Sequence, residues 1–178
     1  MPTDIANLRE EYTRATLTRE DIADDPIVQF RTWLDAAIVA DLPEPNAMTL
    51  ATADKQGRPA SRVVLLKELD TGFVLYTNYQ SQKGQALQAN PHAALTFWWE
   101  PMERQVRVQG RAERVSAEQS DAYFAKRPRS SQLGAWTSPQ SRVIDGRDVF
   151  DDHWAQVKER FGEEGEAPRP PHWGGIRI

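Results

Sequence analysis

The sequence contains no cysteine, which excludes a disulfide framework, a thiolate metal site and a cysteine nucleophile. No apolar run approaches the ~20 residues that a membrane span requires. The first residues, MPTDIANLREEY, are acidic and polar and do not resemble a signal peptide. The formal net charge is −4, whereas nucleic-acid-binding domains are usually basic. These absences predict a cytoplasmic protein that binds neither nucleic acid nor a membrane.

Familiar catalytic patterns are also missing. The three histidines, His92, His153 and His172, lack the helical i, i+4 pairing that is typical of a metal site. There is no G-x-G-x-x-G sequence, no P-loop and no G-x-S-x-G elbow. The sequence therefore predicts no metal site and no nucleotide site of the Rossmann or Walker type.

The 178 residues fit one domain preceded by an arm. Residues 1–24 are charged and poor in apolar side chains, and we expect them to form a mobile N-terminal arm. Asp25-Pro26 is a favourable helix start, with Asp as N-cap and Pro at the first helical position. Residues 25–178 are expected to form a single domain.

Short strand-like runs dominate that domain. Alternating or β-branched segments bounded by turn residues predict strands at 47–53, 60–68, 73–77, 93–99 and 104–115. Helices are predicted at 26–40, 81–88, 148–161 and from 116 until Pro128, with a loop over 127–146 and a last strand over 175–178. The predicted fold class is mainly β (α+β), a small barrel with peripheral helices.

The run RVVLLK at 62–67 carries one cation at each end. Side chains alternate along a strand, so Arg62 and Lys67 would lie on opposite faces of one buried strand and could serve two anions. The alternative is that both cations mark solvated strand ends. Lys83 follows Ser81 at a predicted helix start, which is a suitable site for a phosphate.

These cations belong to a larger set of anion-binding side chains without an acid–base pair. Cationic and hydroxyl candidates are Arg62, Lys67, Lys83, Arg127, Arg129 and Ser131, and nearby polar candidates are Thr77, Gln105, Tyr123, Gln140 and Ser141. Donors for two phosphates without a nucleophile suggest that a bound cofactor does the chemistry.

Six segments carry a resemblance to a known family: RVVLLK, FVLYTNYQSQKG, ERQVRVQGRAERVS, YFAKRPRSSQLGAW, SPQS and PxPxxWGGIR. In this order and spacing they closely resemble pyridoxamine 5′-phosphate oxidases. The resemblance implies an FMN-binding split β-barrel that forms a homodimer with FMN at the subunit interface. It also implies oxidation of pyridoxamine or pyridoxine 5′-phosphate to pyridoxal 5′-phosphate, with O2 as acceptor and H2O2 released.

The resemblance implies a role for each matching residue. FMN would be contacted by Arg62, Val63, Leu66, Lys67, Tyr76, Thr77, Lys83, Gln105, Gln140 and Ser141. The substrate would be held by Lys67, Tyr123, Arg127 and Ser131, with Arg9 and Tyr12 of the arm closing over the site. No side chain is implied as catalytic, because the hydride of the substrate passes to flavin N5.

Two departures from the family pattern leave alternatives open. Gln82 stands where the family commonly has arginine, so we expect weaker FMN affinity. The chain ends at Ile178, before a family segment that reaches flavin and substrate, and we expect a fragment or a short variant that retains FMN binding better than turnover. The alternatives are a flavin- or pyridoxal-phosphate-binding protein with little turnover, and a flavin oxidase of another ring, such as a phenazine precursor.

Overall fold

The computed structural model describes residues 4–8, 11–14, 16–162 and 164–178. Within them the chain forms two antiparallel sheets and five helices, which confirms the predicted α+β class. The strands are β1 Ala47–Ala53, β2 Pro59–Leu65, β3 Glu68–Leu69, β4 Phe73–Asn78, β5 His92–Trp99, β6 Arg104–Arg111, β7 Glu113–Arg114 and β8 Trp173–Arg177. The helices are α1 Pro26–Val39, α2 Gln82–Ala89, α3 Ala117–Ala125, α4 Arg129–Thr137 and α5 Arg147–Phe161.

Three helices begin at the capping residues that the sequence indicates. The Asp25 carboxylate accepts hydrogen bonds from the first backbone N–H groups of α1, and Pro26 occupies its first position. The Ser81 and Ser116 hydroxyls cap α2 and α3 in the same way. These local contacts fix where each helix enters the barrel.

The strands form two four-stranded sheets, ordered β2-β1-β5-β6 and β3-β4-β8-β7. An aromatic cluster fills the space between the sheets and α1. The Phe30 ring of α1 lies 4.7 Å from the Phe73 ring and 4.8 Å from the Phe97 ring, measured between centroids. These fully buried rings hold α1 against both sheets, since each contributes a large apolar area to the core.

The outer face of the first sheet is uncovered over much of its area. The strand register places Val63, Thr49, Thr96 and Arg107 in one row across it. Val63 is 68% exposed and Trp98, two residues beyond Thr96, is 49% exposed. This face therefore presents apolar side chains on β2 and β5 to its surroundings.

The predicted strand at 60–68 is wrong in one important respect. The chain leaves the first sheet after Leu65 and enters the second, where the Lys67 amide donates to the Val74 carbonyl. β2 is an edge strand with an exposed residue at every second position, and not a buried strand. The crossing interrupts the side-chain alternation that would have placed Arg62 and Lys67 on opposite faces.

The predicted strand at 104–115 is divided by a similar crossing. β6 pairs with β5 in the first sheet, whereas β7 pairs with β8 in the second. At each crossing the chain passes from the first sheet to the second, and the two crossings form corners of the barrel.

The predicted loop at 127–146 is also wrong, because it contains α4. No side chain caps this helix, and its sequence, RSSQLGAWT, is rich in serine and glycine. Leu133 and Gln132 are nevertheless buried, and the Trp136 indole donates to the Pro168 carbonyl at 2.8 Å. Tertiary packing therefore forms a helix where the local sequence is indifferent.

The arm is mainly irregular where the structure describes it, with 3-10 turns at Ile5–Asn7 and Arg19–Asp21. Its Tyr12 ring lies edge-on to Trp98 at 6.4 Å, and the Arg14 amide donates to the Glu103 carboxylate at 2.9 Å. The domain boundaries and the mobility of the arm stay predictions. No described helix has the length and apolar character needed to span a bilayer.

One ion pair ties the last strand to the β3–β4 turn. Arg177 donates from Nε to the Asp70 carboxylate at 2.8 Å, and this contact lowers the pKa of Asp70 from 3.8 to about 2. A lowered pKa means that the stabilisation is present above pH 3.8 and is lost as the pH falls towards 2.

We expect Asp70→Asn to lower the free energy of unfolding at pH 7 by about 1 kcal/mol, because the pair is partly exposed and screened. Urea titrations between pH 7 and pH ~2 measure the effect, and the variant and the parent should converge at the acid end. Asp152→Asn, on the exposed face of α5, is the control. A constant difference across this pH range would contradict the assignment.

Candidate active site

A cavity of about 680 Å³ opens beside the free edge of β2. Its walls are β2, β4, the first turn of α2, the end of α3, the loop that follows it, the first turn of α4 and the 140–141 segment. The size falls within the ~300–1,000 Å³ typical of small-molecule sites. Because these elements come from both sheets, the barrel corner after Leu65 creates the cavity.

Arg62 occupies one end of this cavity. One of its terminal nitrogens, Nη1, donates to the Leu50 carbonyl at 3.1 Å, the Thr52 hydroxyl at 2.9 Å and the Ala60 carbonyl at 3.1 Å. Burial lowers the pKa of the guanidinium. The contacts fix the side chain through a single nitrogen, and the other two form no hydrogen bond within the described residues.

Lys83 shares that end of the cavity. Its ammonium group donates to Gln140 Oε1 at 2.9 Å, Thr77 Oγ1 at 3.2 Å and Ser81 Oγ at 3.4 Å. Burial, and secondly the charge of Arg62, lower the pKa of the lysine. Two cations close enough to repel each other, at the N-terminus of α2, form a suitable site for a phosphate group.

A second cationic group lies at the α3–α4 junction. Arg127 donates from Nη2 to the Ser131 carbonyl at 3.1 Å, and its guanidinium lies 4.5 Å from the centroid of the Trp173 ring. Burial lowers the pKa of Arg127. Tyr123, one helical turn earlier, lines the cavity, and its hydroxyl makes no hydrogen bond within the described part of the chain.

The cations of the cavity share the lack of a carboxylate partner. Among the described residues, no ion pair involves Arg62, Lys67, Lys83 or Arg127. Lys67 is exposed, but Arg62, Lys83 and Arg127 are partly buried, and such charges without a counterion are costly unless an anion neutralises them. The donor set therefore suits a ligand, or two ligands, bearing phosphate. The described residues contain no group of three or more histidine or acidic side chains arranged to hold a metal ion.

Three nearly parallel aromatic rings, those of Tyr76, Tyr123 and Trp173, lie at the wall of the cavity that Tyr76 and Tyr123 line. The Tyr76 and Tyr123 rings stack with their centroids 3.9 Å apart, and the Trp173 ring lies 5.5 Å from Tyr76. Gly175 permits this packing, because a Cβ there would lie 2.9 Å from the Tyr76 ring. The Tyr76 hydroxyl donates to the Glu68 carboxylate at 2.7 Å and is not available to a ligand.

Most of the residues predicted from the sequence meet at this cavity. Its lining includes Arg62, Val63, Lys67, Tyr76, Thr77, Lys83, Tyr123, Arg127, Ser131, Gln140 and Ser141. Their assigned roles remain predictions. Ser141 has a φ of 67°, a left-handed conformation that is uncommon outside glycine and typical of functional loops.

Three predicted residues lie elsewhere. Leu66 is buried in the core at 5% exposure. Gln105 and Tyr12 line a second cavity of about 450 Å³ at the start of β6. Arg9 lies outside the described residues. Within one chain, therefore, the structure does not bring Gln105 or Tyr12 to the larger cavity.

Sequence reasoning missed the support of the site by Glu68 and Gln119. Glu68 contacts Gln119, which is 51 positions away, so no local pattern could indicate the pair. Arg129, an anion candidate from the sequence, donates instead to the Phe161 and Gly162 carbonyls at 2.7 and 2.9 Å.

Comparison with known proteins identifies the family. Residues 34–161 match the family described as pyridoxamine 5′-phosphate oxidase. A pyridoxine/pyridoxamine 5′-phosphate oxidase of Salinibacter ruber is 58% identical over 175 residues, covering 98% of this chain and 81% of that protein. One from Synechocystis is 54% identical over the same shares of the two chains.

Solved structures show the same architecture. PhzG from Burkholderia lata 383, in complex with tetrahydrophenazine-1-carboxylic acid, superposes with a TM-score of 0.84 at 28% identity, over 92% of this chain and 81% of that one. A pyridoxamine 5′-phosphate oxidase-related, FMN-binding protein from Nostoc punctiforme superposes with a TM-score of 0.65 at 17% identity, over 88% and 82% of the two chains. The fold is thus the predicted split β-barrel, here with a cavity lined by cationic side chains at the edge of its first sheet. The chain belongs to the pyridoxamine 5′-phosphate oxidase family.

Inorganic phosphate should stabilise the protein by neutralising the cations that line the cavity, Arg62, Lys83 and Arg127. At phosphate concentrations several times the Kd, we expect the free energy of unfolding to rise by about 1 kcal/mol. This corresponds to a rise of roughly 2–4 °C in Tm. Lys83→Gln should reduce this shift, because it removes one charge from the Arg62 end of the cavity. Thermal unfolding with and without phosphate measures the effect, and Lys55→Gln, on an exposed turn, is the control. Equal phosphate shifts in all three proteins would refute a phosphate site at Lys83.

Proposed function

We propose that this chain is an FMN-dependent oxidase that converts pyridoxamine or pyridoxine 5′-phosphate to pyridoxal 5′-phosphate, with O2 as acceptor and H2O2 as product. One observation carries the proposal: two sets of side chains, Arg62 with Lys83 and Arg127 beside Tyr123, line one cavity of about 680 Å³, and none of these cations has a carboxylate partner among the described residues. A cofactor and a substrate that each carry a phosphate would use one group each. The names of the relatives in Salinibacter and Synechocystis support this assignment.

FMN fits the first group by the chemistry of its donors. Arg62, Lys83 and the N-terminus of α2 would hold its phosphate, with Thr77, Gln140 and Ser141 as further polar partners. Val63 and the edge of β2 would border its ring system. When bound, FMN would accept two electrons from the substrate and deliver them to O2.

The second group would hold the substrate phosphate. Lys67, Tyr123, Arg127 and Ser131 all line the cavity. Burial raises the pKa of Tyr123, so its phenol stays protonated and can donate a hydrogen bond. These contacts would orient the substrate ring, and orientation is the main contribution that a protein makes to a reaction whose chemistry a cofactor supplies.

A homodimer would complete the site. Gln105 pairs in register with Trp98, and both lie on the uncovered outer face of the first sheet. Val63 lies on that face and also lines the cavity. Two copies packed through this face would bury the exposed apolar side chains and could bring Gln105 of one chain to the cavity of the other. FMN would then be bound at the subunit interface.

A second candidate function is oxidation of a phenazine precursor. The similarity to PhzG, at a TM-score of 0.84, favours it. Against it stands the higher sequence identity, 58% and 54%, to relatives named pyridoxine/pyridoxamine 5′-phosphate oxidase, compared with 28% for PhzG. A third candidate is a protein that binds flavin or pyridoxal phosphate with little turnover.

Peroxide release tests the function directly. The chain, loaded with FMN, should release H2O2 when pyridoxamine or pyridoxine 5′-phosphate is added. Release only with reduced phenazine carboxylates would support the second candidate. Flavin binding without peroxide from any of these substrates would support the third.

Arg127→Ala should raise the KM for pyridoxine 5′-phosphate about 10- to 100-fold, as expected when a hydrogen bond to a charged group is lost. The kcat should change much less, because Arg127 contacts the phosphate and not the reacting carbon. Initial rates at saturating FMN measure both constants. Lys126→Ala, at the exposed C-cap of α3 and next to Arg127 in the sequence, is the control. An unchanged KM would remove Arg127 from the substrate site.

Trp98→Glu should convert the dimer to a monomer and weaken flavin retention, because it buries a charge in the proposed interface. Sedimentation velocity and flavin fluorescence measure the two effects. Val143→Glu, at a side chain that is 98% exposed and lies outside the strands, should leave both unchanged. A parent protein that is monomeric with bound flavin would exclude the interface.

A further inference from the structure

Glu68 lies behind the cavity, and both of its carboxylate oxygens are used. Oε1 accepts a hydrogen bond from the Tyr76 hydroxyl at 2.7 Å, and Oε2 accepts one from the Gln119 side-chain amide at 2.5 Å. Tyr76 belongs to β4 and Gln119 to α3. The carboxylate therefore joins a strand of the second sheet to the helix that carries Tyr123, without lining the cavity itself.

Both partners of Glu68 lead to Tyr123. The Tyr76 ring is stacked on the Tyr123 ring, with centroids 3.9 Å apart and planes inclined by 8°. Gln119 and Tyr123 are four residues apart in α3 and so lie on the same side of the helix. Glu68 thus restrains Tyr123 through its stacking partner and through the helix.

The same restraint extends towards Arg127. The Trp173 ring is inclined by 14° to Tyr76 and by 8° to Tyr123. The Arg127 guanidinium lies over that Trp173 ring. The stacked rings therefore form one wall that supports Tyr123 and Arg127, two of the side chains assigned to the substrate phosphate.

The protonation of Tyr76 is consistent with this arrangement. Burial, and secondly the hydrogen bond to Glu68, raise the pKa of Tyr76, so its phenol remains a donor to the carboxylate at all ordinary pH values. In the described part of the chain the Tyr123 hydroxyl has no partner, which leaves it available to a ligand.

We propose that Glu68 is a positioning residue that orients Tyr123 for the substrate phosphate and thereby sets the affinity for phosphorylated substrates. The proposal rests on the proposed function, since it takes the second cationic group to be the substrate-phosphate site. Glu68 would contribute to substrate KM and to phosphate affinity, and not to FMN affinity or to kcat.

A purely structural role for Glu68 makes a different prediction. If the carboxylate only joined β3 to α3, its removal would lower stability and would affect flavin and substrate sites alike. Kinetic constants, FMN affinity and Tm must therefore be measured on the same variants.

Glu68→Ala should raise the KM for pyridoxine 5′-phosphate about tenfold. A change of this size falls within the range of interaction energies measured between residues in contact. The FMN Kd and the kcat should stay within about twofold of the parent. Glu68→Gln keeps an acceptor for the Tyr76 hydroxyl and should recover most of the loss. Glu118→Gln, exposed on α3, removes the same charge and should have no effect.

A double-mutant cycle with Tyr123→Phe tests the route of the effect. If Glu68 acts through the Tyr123 hydroxyl, Glu68→Ala should raise KM by no more than about twofold once that hydroxyl is absent. A full, additive tenfold increase would overturn the proposal. So would an equal loss of FMN affinity in Glu68→Ala.

Inorganic phosphate separates this proposal from the proposed function. Its Kd, measured by titration of tryptophan fluorescence in the FMN-loaded protein, does not depend on turnover. If the parent releases no peroxide, the oxidase assignment fails. The role of Glu68 still stands if Glu68→Ala weakens phosphate binding in the parent protein but has no such effect in the Tyr123→Phe variant. The role fails if Glu68→Ala leaves phosphate binding in the parent protein unchanged.

Discussion

The cavity is defined by positive charges that no carboxylate of the described residues neutralises. Arg62, Lys83 and Arg127 are partly buried, lower pKa values accompany that burial, and no described carboxylate pairs with them. Elsewhere the chain pairs such charges, as in Asp70–Arg177 and Asp121–Arg169. Desolvated cations carry a folding cost that an anionic ligand removes, so ligand binding and folding stability are linked.

The barrel corner explains how these charges meet. A single continuous strand would have sent Arg62 and Lys67 to opposite faces, whereas the crossing after Leu65 lets both line one cavity. The second sheet then contributes Tyr76 and Thr77, and α2 contributes Lys83 at its first turn. Two sheets are therefore needed to build one binding surface, and neither sheet alone carries it.

Sequence reasoning succeeded where structure is locally determined. The caps at Asp25, Ser81 and Ser116, the strands β1 and β5 and the alternation in β6 are local, and the sequence places them correctly. The crossings within 60–68 and 104–115 were missed because neither segment contains a proline or a turn dipeptide that would mark the end of a strand. α4 was missed because buried packing, and not propensity, forms it. The family resemblance located most of the cavity lining, but Glu68 escaped it because its partners are remote in sequence.

The free edge of β2 has one further consequence. Among the described strands β2 pairs only with β1, so its second row of backbone N–H and C=O groups has no strand partner there. A flat heterocycle has donors and acceptors along its rim, much as a neighbouring strand has along its backbone, and it could dock there in place of that strand. Recognition by main-chain atoms is indifferent to which side chain each position carries. Substitutions in β2 at positions other than Arg62 and Val63 would thus leave ring binding intact, with proline as the exception, because it deletes an amide hydrogen.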